Sequence, residues 1–152
     1  TEDDDCTSVV TRRKMSIWGN LISLFTPPKQ RLSERGPMTL SEKQQTFSIL
    51  IAHLIRWAYD QGYAITLGDA YRSPEMAAIY AKQGKGIKNS LHCRRLAIDL
   101  MLWKGNKYLQ KIEDYKPLGE HWEAMSTPDA QCFWGGRFGD GVHFSIGDGG
   151  QK

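Results

Sequence analysis

The chain has 152 residues, 40% hydrophobic and 24% charged, an ordinary composition for one globular domain with its own core. A net charge of +3 is too small to argue for a nucleic-acid partner, although a mildly basic protein suits an anionic polymer. No run is long and apolar enough to span a membrane, and the three cysteines (Cys6, Cys93, Cys132), without a CxxC spacing, read as free thiols of a reducing compartment.

Residues 1–37 differ in character from the rest of the chain. TEDDD is acidic, TRRK is basic, SIWGNLISLF is a short apolar patch, and TPPKQRLSERGP closes the segment. The patch is brief, holds Gly19 and Asn20, and lacks a small-residue cleavage site after it, so it does not read as an export signal. A poorly ordered extension is expected, with no stable membrane anchor.

Order is expected from Met38. Thr39 and Glu42 make a capping box. Phe47, Leu50, Ile51, Leu54, Ile55 and Ala58 then recur at helical spacing, and Gly62 supplies the stop. Tyr63–Leu67 alternates like a strand. Ser73 and Pro74 form an N-cap and first-turn proline, opening a short helix that ends at Gly84. GKGIKNS is a loop. LAIDLML (residues 96–102) and VHFSI (residues 142–146) are strands, and KPLGEHWEAM between them holds a helical turn or two. Strands and helices do not alternate in regular βαβ units. The expected fold is therefore α+β, one domain over residues 38–152 with a small mixed or antiparallel sheet packed by helices.

The chemistry gathers on the two later strands. A carboxylate inside a strand is costly unless paired or metal-bound. By the period of two, Leu96, Ile98 and Leu100 share one face, and Ala97, Asp99 and Met101 the other. Val142, Phe144 and Ile146 likewise oppose His143 and Ser145. His92 lies just before the first strand. Two histidines and one aspartate suit a catalytic zinc, which keeps three protein ligands and one open position. Asp140, between Gly139 and Gly141 and three residues before His143, is placed as a general base. Plainer readings stand beside these. Asp99 can pair with Arg94 or Arg95. His53 falls off the apolar helix face and reads as solvated. His121 reads as a helix-surface residue, Trp134 and Phe138 as core or turn residues, and Arg72 alone as a loop residue.

In chain order, Arg72 in AYRS, then S-x-H-x-x-x-x-A-x-D from Ser90 to Asp99, then WGGRF, then D-x-x-H-F from Asp140 resemble the M15 family of zinc peptidases. These include D-Ala-D-Ala carboxypeptidases and dipeptidases, and phage L-alanyl-D-glutamate endopeptidases that act as endolysins. The resemblance covers roughly Met38 to Ser145 and is nearest to the small phage members. It implies zinc held by His92, Asp99 and His143, with Asp140 as the base. It implies Arg72 on the scissile carbonyl or a substrate carboxylate, and Ser90 supporting the site or the substrate. The scaffold it implies is shared with the signalling domain of hedgehog proteins. Two departures stand out. Arg95 occupies a position where many relatives have glycine. Asp140 stands where carboxypeptidase-like members often have glutamate, and aspartate there is shared with the endopeptidases, which favours Ala-Glu cleavage. The implied partner is the peptidoglycan stem peptide, not nucleic acid, acted on by a monomer held in the bacterial host cytoplasm before release to the wall. D-alanine removal, or wall binding without catalysis, are the rival readings.

Overall fold

A computed structural model describes residues 36–152. The expectation of a poorly ordered extension lies outside the described residues, except for its last two positions. Helix α1, Leu40–Asp60, begins as the sequence predicts: the Thr39 hydroxyl accepts from the Glu42 amide at 3.3 Å, and the Glu42 carboxylate accepts from the Thr39 amide at 2.8 Å. Its buried face is Phe47, Ile51, Leu54 and Ala58. Strand β1, Ala64–Leu67, comes next, and then α2, Pro74–Lys82, with Ser73 accepting from the Met76 amide at 3.3 Å. A 3₁₀ turn at Leu91–Arg94 leads into β2, Ala97–Lys104. The rest is β3 at Lys107–Tyr108, α3 at Ile112–Ala124, β4 at Cys132–Trp134, a 3₁₀ turn at Gly135–Phe138, and β5 at His143–Ile146.

The fold is α+β, and its sheet is antiparallel throughout. The strand order is β1-β2-β5-β4, with β3 folded back on β2 as a hairpin. The long β2 runs through the middle: its later half pairs with β1 (Leu100 opposite Leu67) and its first half with β5 (Ala97 opposite Ser145). No helix among the described residues is long and apolar enough to cross a membrane.

Helix α3 is longer than the turn or two expected. Pro117 and Gly119 lie inside it, and both ordinarily weaken a helix. Burial of Tyr115, Leu118 and Trp122 on one face overrides them. Trp122 meets Phe47 and Phe144 edge-on, with ring centroids 6.0 and 6.2 Å away. Its indole N–H donates to the Phe133 and Ser145 carbonyls, each at 3.1 Å. One side chain thus joins α1, α3, β4 and β5. The Tyr115 hydroxyl accepts from the Leu102 amide at 3.0 Å and donates to the Leu109 carbonyl at 3.1 Å. Burial pushes that hydroxyl's pKa up to about 12. Cys93 and Cys132 are free thiols, and Cys6 lies outside the described residues; burial pushes Cys132 up to about 11.

Gly119 is required by packing. A Cβ there would lie 2.1 Å from the Trp134 ring. Alanine in a helix interior normally stabilises by about 1 kcal/mol over glycine. Here overpacking reverses the sign, and Gly119→Ala should cost about 1–3 kcal/mol. Urea unfolding measures it, and a rise in the midpoint would contradict the packing.

Candidate metal centre

Three local devices bring His92, Asp99 and His143 together. Ser90 caps the first 3₁₀ turn: its hydroxyl accepts from the His92 amide at 3.3 Å, and both residues are buried. The turn ends at Arg95, whose backbone is left-handed, and the Leu96 amide then closes onto the Leu91 carbonyl at 3.1 Å. That sends the chain directly into β2. Asp99 and His143 are directly opposed across β2 and β5, and opposed residues in an antiparallel pair project from the same face. The third device is Gly135. A Cβ there would lie 2.5 Å from the Asp140 carbonyl oxygen and 2.7 Å from the His143 Cβ, so only glycine lets the 3₁₀ turn pass this close to β5.

The donor atoms converge. His92 Nε2 lies 3.1 Å from His143 Nδ1, and each nitrogen lies 3.3 Å from Asp99 Oδ1. Ligands at the zinc bond lengths of about 2.0–2.1 Å in a tetrahedron stand roughly 3.3–3.4 Å apart. The three edges of the group fit that size, and the donor set is one that zinc accepts. This is also the group of histidine and acidic side chains able to hold a metal ion among the described residues. Burial alone would raise the Asp99 carboxyl. Hydrogen bonds and charge from His143 and His92 outweigh it and hold the group well below the usual carboxylate range. Asp99 is therefore an ionised donor throughout the neutral range. His92 Nδ1 is buried and has no partner among the described residues.

The segment after β1 lines the same group. The Asp99 amide donates to the Asp69 carbonyl at 3.1 Å, and the Gly68 amide to the Asp99 carbonyl at 2.8 Å. Asp69 in turn holds Arg72: Nε and Nη2 both reach Asp69 Oδ2 at 2.8 Å. The Arg72 guanidinium also stacks over Tyr80, 5.0 Å from the ring centroid, and the Arg72 amide donates to the His92 carbonyl at 3.4 Å. Arg72 is thus a fixed, mostly buried cation beside a ligand, not a loose surface residue. Asp140 is exposed, and its carboxylate has no hydrogen bond or ion pair among the described residues. Its backbone is clamped: its amide donates to the Gly135 carbonyl at 3.0 Å, and the Trp134 indole N–H donates to the Gly141 carbonyl at 2.8 Å.

The plainer readings sort themselves. Neither Arg94 nor Arg95 compensates Asp99. Arg94 pairs with Asp148, and Arg95 lies over the Tyr71 ring at 4.4 Å. His53 is exposed. His121 stacks on Trp57 at 4.2 Å, where partial burial lowers its pKa. Trp134 is core, whereas Phe138 is 70% exposed. Residues not singled out in the sequence also contribute. Asp69 anchors Arg72, Gln44 donates to the Arg94 carbonyl at 2.8 Å, and Asp148 takes Lys43 at 2.7 Å as well as Arg94. These hold the His92 turn against α1. A cavity of about 320 Å³ lined by Lys43, Phe133 and Asp148, among others, includes none of the three donors.

No protein-family model matches the chain, and no curated protein matches it.

One zinc per chain is the expected stoichiometry by elemental analysis, and His92→Ala or Asp99→Ala should lose it. A His92→Ala protein with full occupancy would rule the group out. A second expectation concerns the metal-free protein. The folded Asp99 pKa lies below its unfolded value, so its contribution to stability is present above about pH 4 and is lost as the pH falls towards the folded value. Urea midpoints should therefore fall more steeply on acidification below about pH 4 for the wild type than for Asp99→Asn.

Proposed function

We propose that the chain is a zinc-dependent peptidase acting on peptidoglycan stem peptides, with the L-alanyl-D-glutamate bond as its first substrate. The observation that carries this reading is the group of three donors 3.1–3.3 Å apart, with a fixed arginine next to it and an unpartnered carboxylate three residues before His143. The order of these residues along the chain is also the order in the M15 peptidases it resembles.

His92, Asp99 and His143 would hold the metal. Zinc with three protein ligands polarises a carbonyl and acidifies water. The protein's own groups do the rest. Asp140 has no competing partner among the described residues, so its carboxylate can accept a proton from the attacking water and return it to the leaving amine. Arg72 is pinned by Asp69 and Tyr80, and its remaining N–H groups would bind a carbonyl oxygen or carboxylate with little further ordering cost. Ser90 acts through His92, by holding the turn that presents it.

Digestion of purified sacculi tests the reading. New amino termini on D-glutamate mean endopeptidase action. Loss of D-alanine means a carboxypeptidase or dipeptidase, and no cleavage means a binding module. Asp140→Asn separates proton transfer from metal binding. It should keep about one zinc per chain and an unchanged thermal midpoint, while the rate falls about 10²–10⁴-fold. A variant that keeps both zinc and rate would sink the role given to Asp140.

A further inference from the structure

Arg95 ends the turn that carries His92 at φ 54° and ψ 39°. Among the described residues it is the one non-glycine with a positive φ. Side chains are disfavoured there, and such outliers concentrate at functional sites. No carboxylate pairs with Arg95 among the described residues. Its guanidinium instead lies 4.4 Å from the centroid of Tyr71, an aromatic side chain that is itself exposed.

The backbone fixes where Arg95 leaves the turn, and Tyr71 is what its guanidinium meets. The Arg95 and Arg72 amides both donate to the His92 carbonyl, at 3.2 and 3.4 Å. Arg95 is one 3₁₀ turn from His92, about 6 Å of rise, and it leans on the residue preceding Arg72. Arg72 is already paired with Asp69 at 2.8 Å and its side chain is 14% exposed, so Arg95 is the one of the two without a carboxylate partner among the described residues. The stretch of chain around Arg95 is basic, although Asp69 and Asp148 pair with Arg72 and Arg94. From residue 71 to 95 there are six basic side chains (Arg72, Lys82, Lys85, Lys88, Arg94, Arg95) and one acid, Glu75. With a whole-chain charge of +3, the remainder of the protein is net acidic.

We propose that Arg95 recognises a carboxylate, selecting peptides that keep a free carboxylate beside the cleaved bond. The inference rests on the peptidase reading above and narrows its substrate class. A γ-linked D-glutamyl residue carries a free α-carboxylate next to the L-alanyl bond, and amidation removes that charge. A planar guanidinium laid on an aromatic ring keeps its N–H edge available for a carboxylate.

The test uses the zinc-loaded full chain and L-alanyl-γ-D-glutamyl-L-lysine. The glutamyl α-carboxyl is free or amidated, and separately so is the C-terminal carboxyl. Cleavage gives kcat/KM, and calorimetry with analogues N-methylated at the scissile amide gives Kd. The wild type should bind the α-free peptide about 10–100-fold more tightly than its α-amide. Arg95→Gly should bring that ratio close to one by weakening the α-free peptide alone. Glycine accepts the left-handed backbone, and the thermal midpoint checks that the variant folds. Arg95→Lys, which keeps the charge without the planar fork, should fall between the two. Equal ratios in wild type and Arg95→Gly, a preference set by the C-terminal carboxyl, or no saturable binding of any peptide overturns the proposal. Discrimination in binding with no cleavage leaves Arg95 its role and removes the peptidase reading.

Discussion

Asp99 stands on the central strand with its side chain 18% exposed, where an uncompensated carboxylate would cost several kcal/mol. Its compensation comes from two histidines and, among the described residues, from no arginine or lysine. Those histidines turn a ring nitrogen toward each other as well, 3.1 Å apart. Three electron-rich atoms therefore face one small volume. A proton can serve only one of these contacts at a time, whereas a divalent cation serves all three. The arrangement is sustained by the β2–β5 register, the Ser90 cap and the close pass at Gly135.

The helical layer holds this geometry from a distance. Trp122 ties α3 to both β4 and β5 through one indole N–H. Trp134 then reaches from β4 to the Gly141 carbonyl, beside Asp140. The loop carrying Asp140 is thus fixed to the core by its backbone, while its carboxylate has no partner among the described residues. On the other side, Gln44 and the Lys43–Asp148–Arg94 cluster fasten the His92 turn to α1. Charged side chains are used here to place backbone, not to compensate the buried acid.

Much of this was legible in the sequence, for identifiable reasons. The capping box, the proline-started α2 and the alternation in β2 and β5 are local signals with fixed periods. The common face of Asp99 and His143 comes from the period of two once the strands are recognised. Other features depend on partners distant in the chain. Pro117 and Gly119 argue locally against the full length of α3, and only Trp134 against Gly119 and the burial of Trp122 reverse them. Strands β3 and β4, of two and three residues, are too short for a period to register. The choice for Asp99 between arginine and histidine partners could not be made locally either, because Arg94 is drawn away by Asp148, more than fifty residues further on. Asp69 was within reach: its spacing of three from Arg72 is a side-chain pairing distance, yet nothing local distinguishes it from a turn residue.

Exposure grades across the three donors. The His92 side chain is 3% exposed, Asp99 18% and His143 20%. The group is closed behind His92 and opens on the side of the two strand residues. Asp140 leaves the sheet on the His143 side, and Arg95 leaves it at the end of the His92 turn. Two carboxylates three residues or less from a histidine of this group, or bonded to it, thus live in opposite environments. Asp99 is held ionised by its neighbours and is committed to them. Asp140 is solvated and uncommitted, which is the state a proton acceptor needs before substrate arrives. Asp140 and Arg95 thus lie off the sheet, while Asp99 and His143 stand on it and His92 on the turn that leads into it. Under the proposed function, a change of the Arg95 side chain would alter peptide selection while leaving the three donors in place.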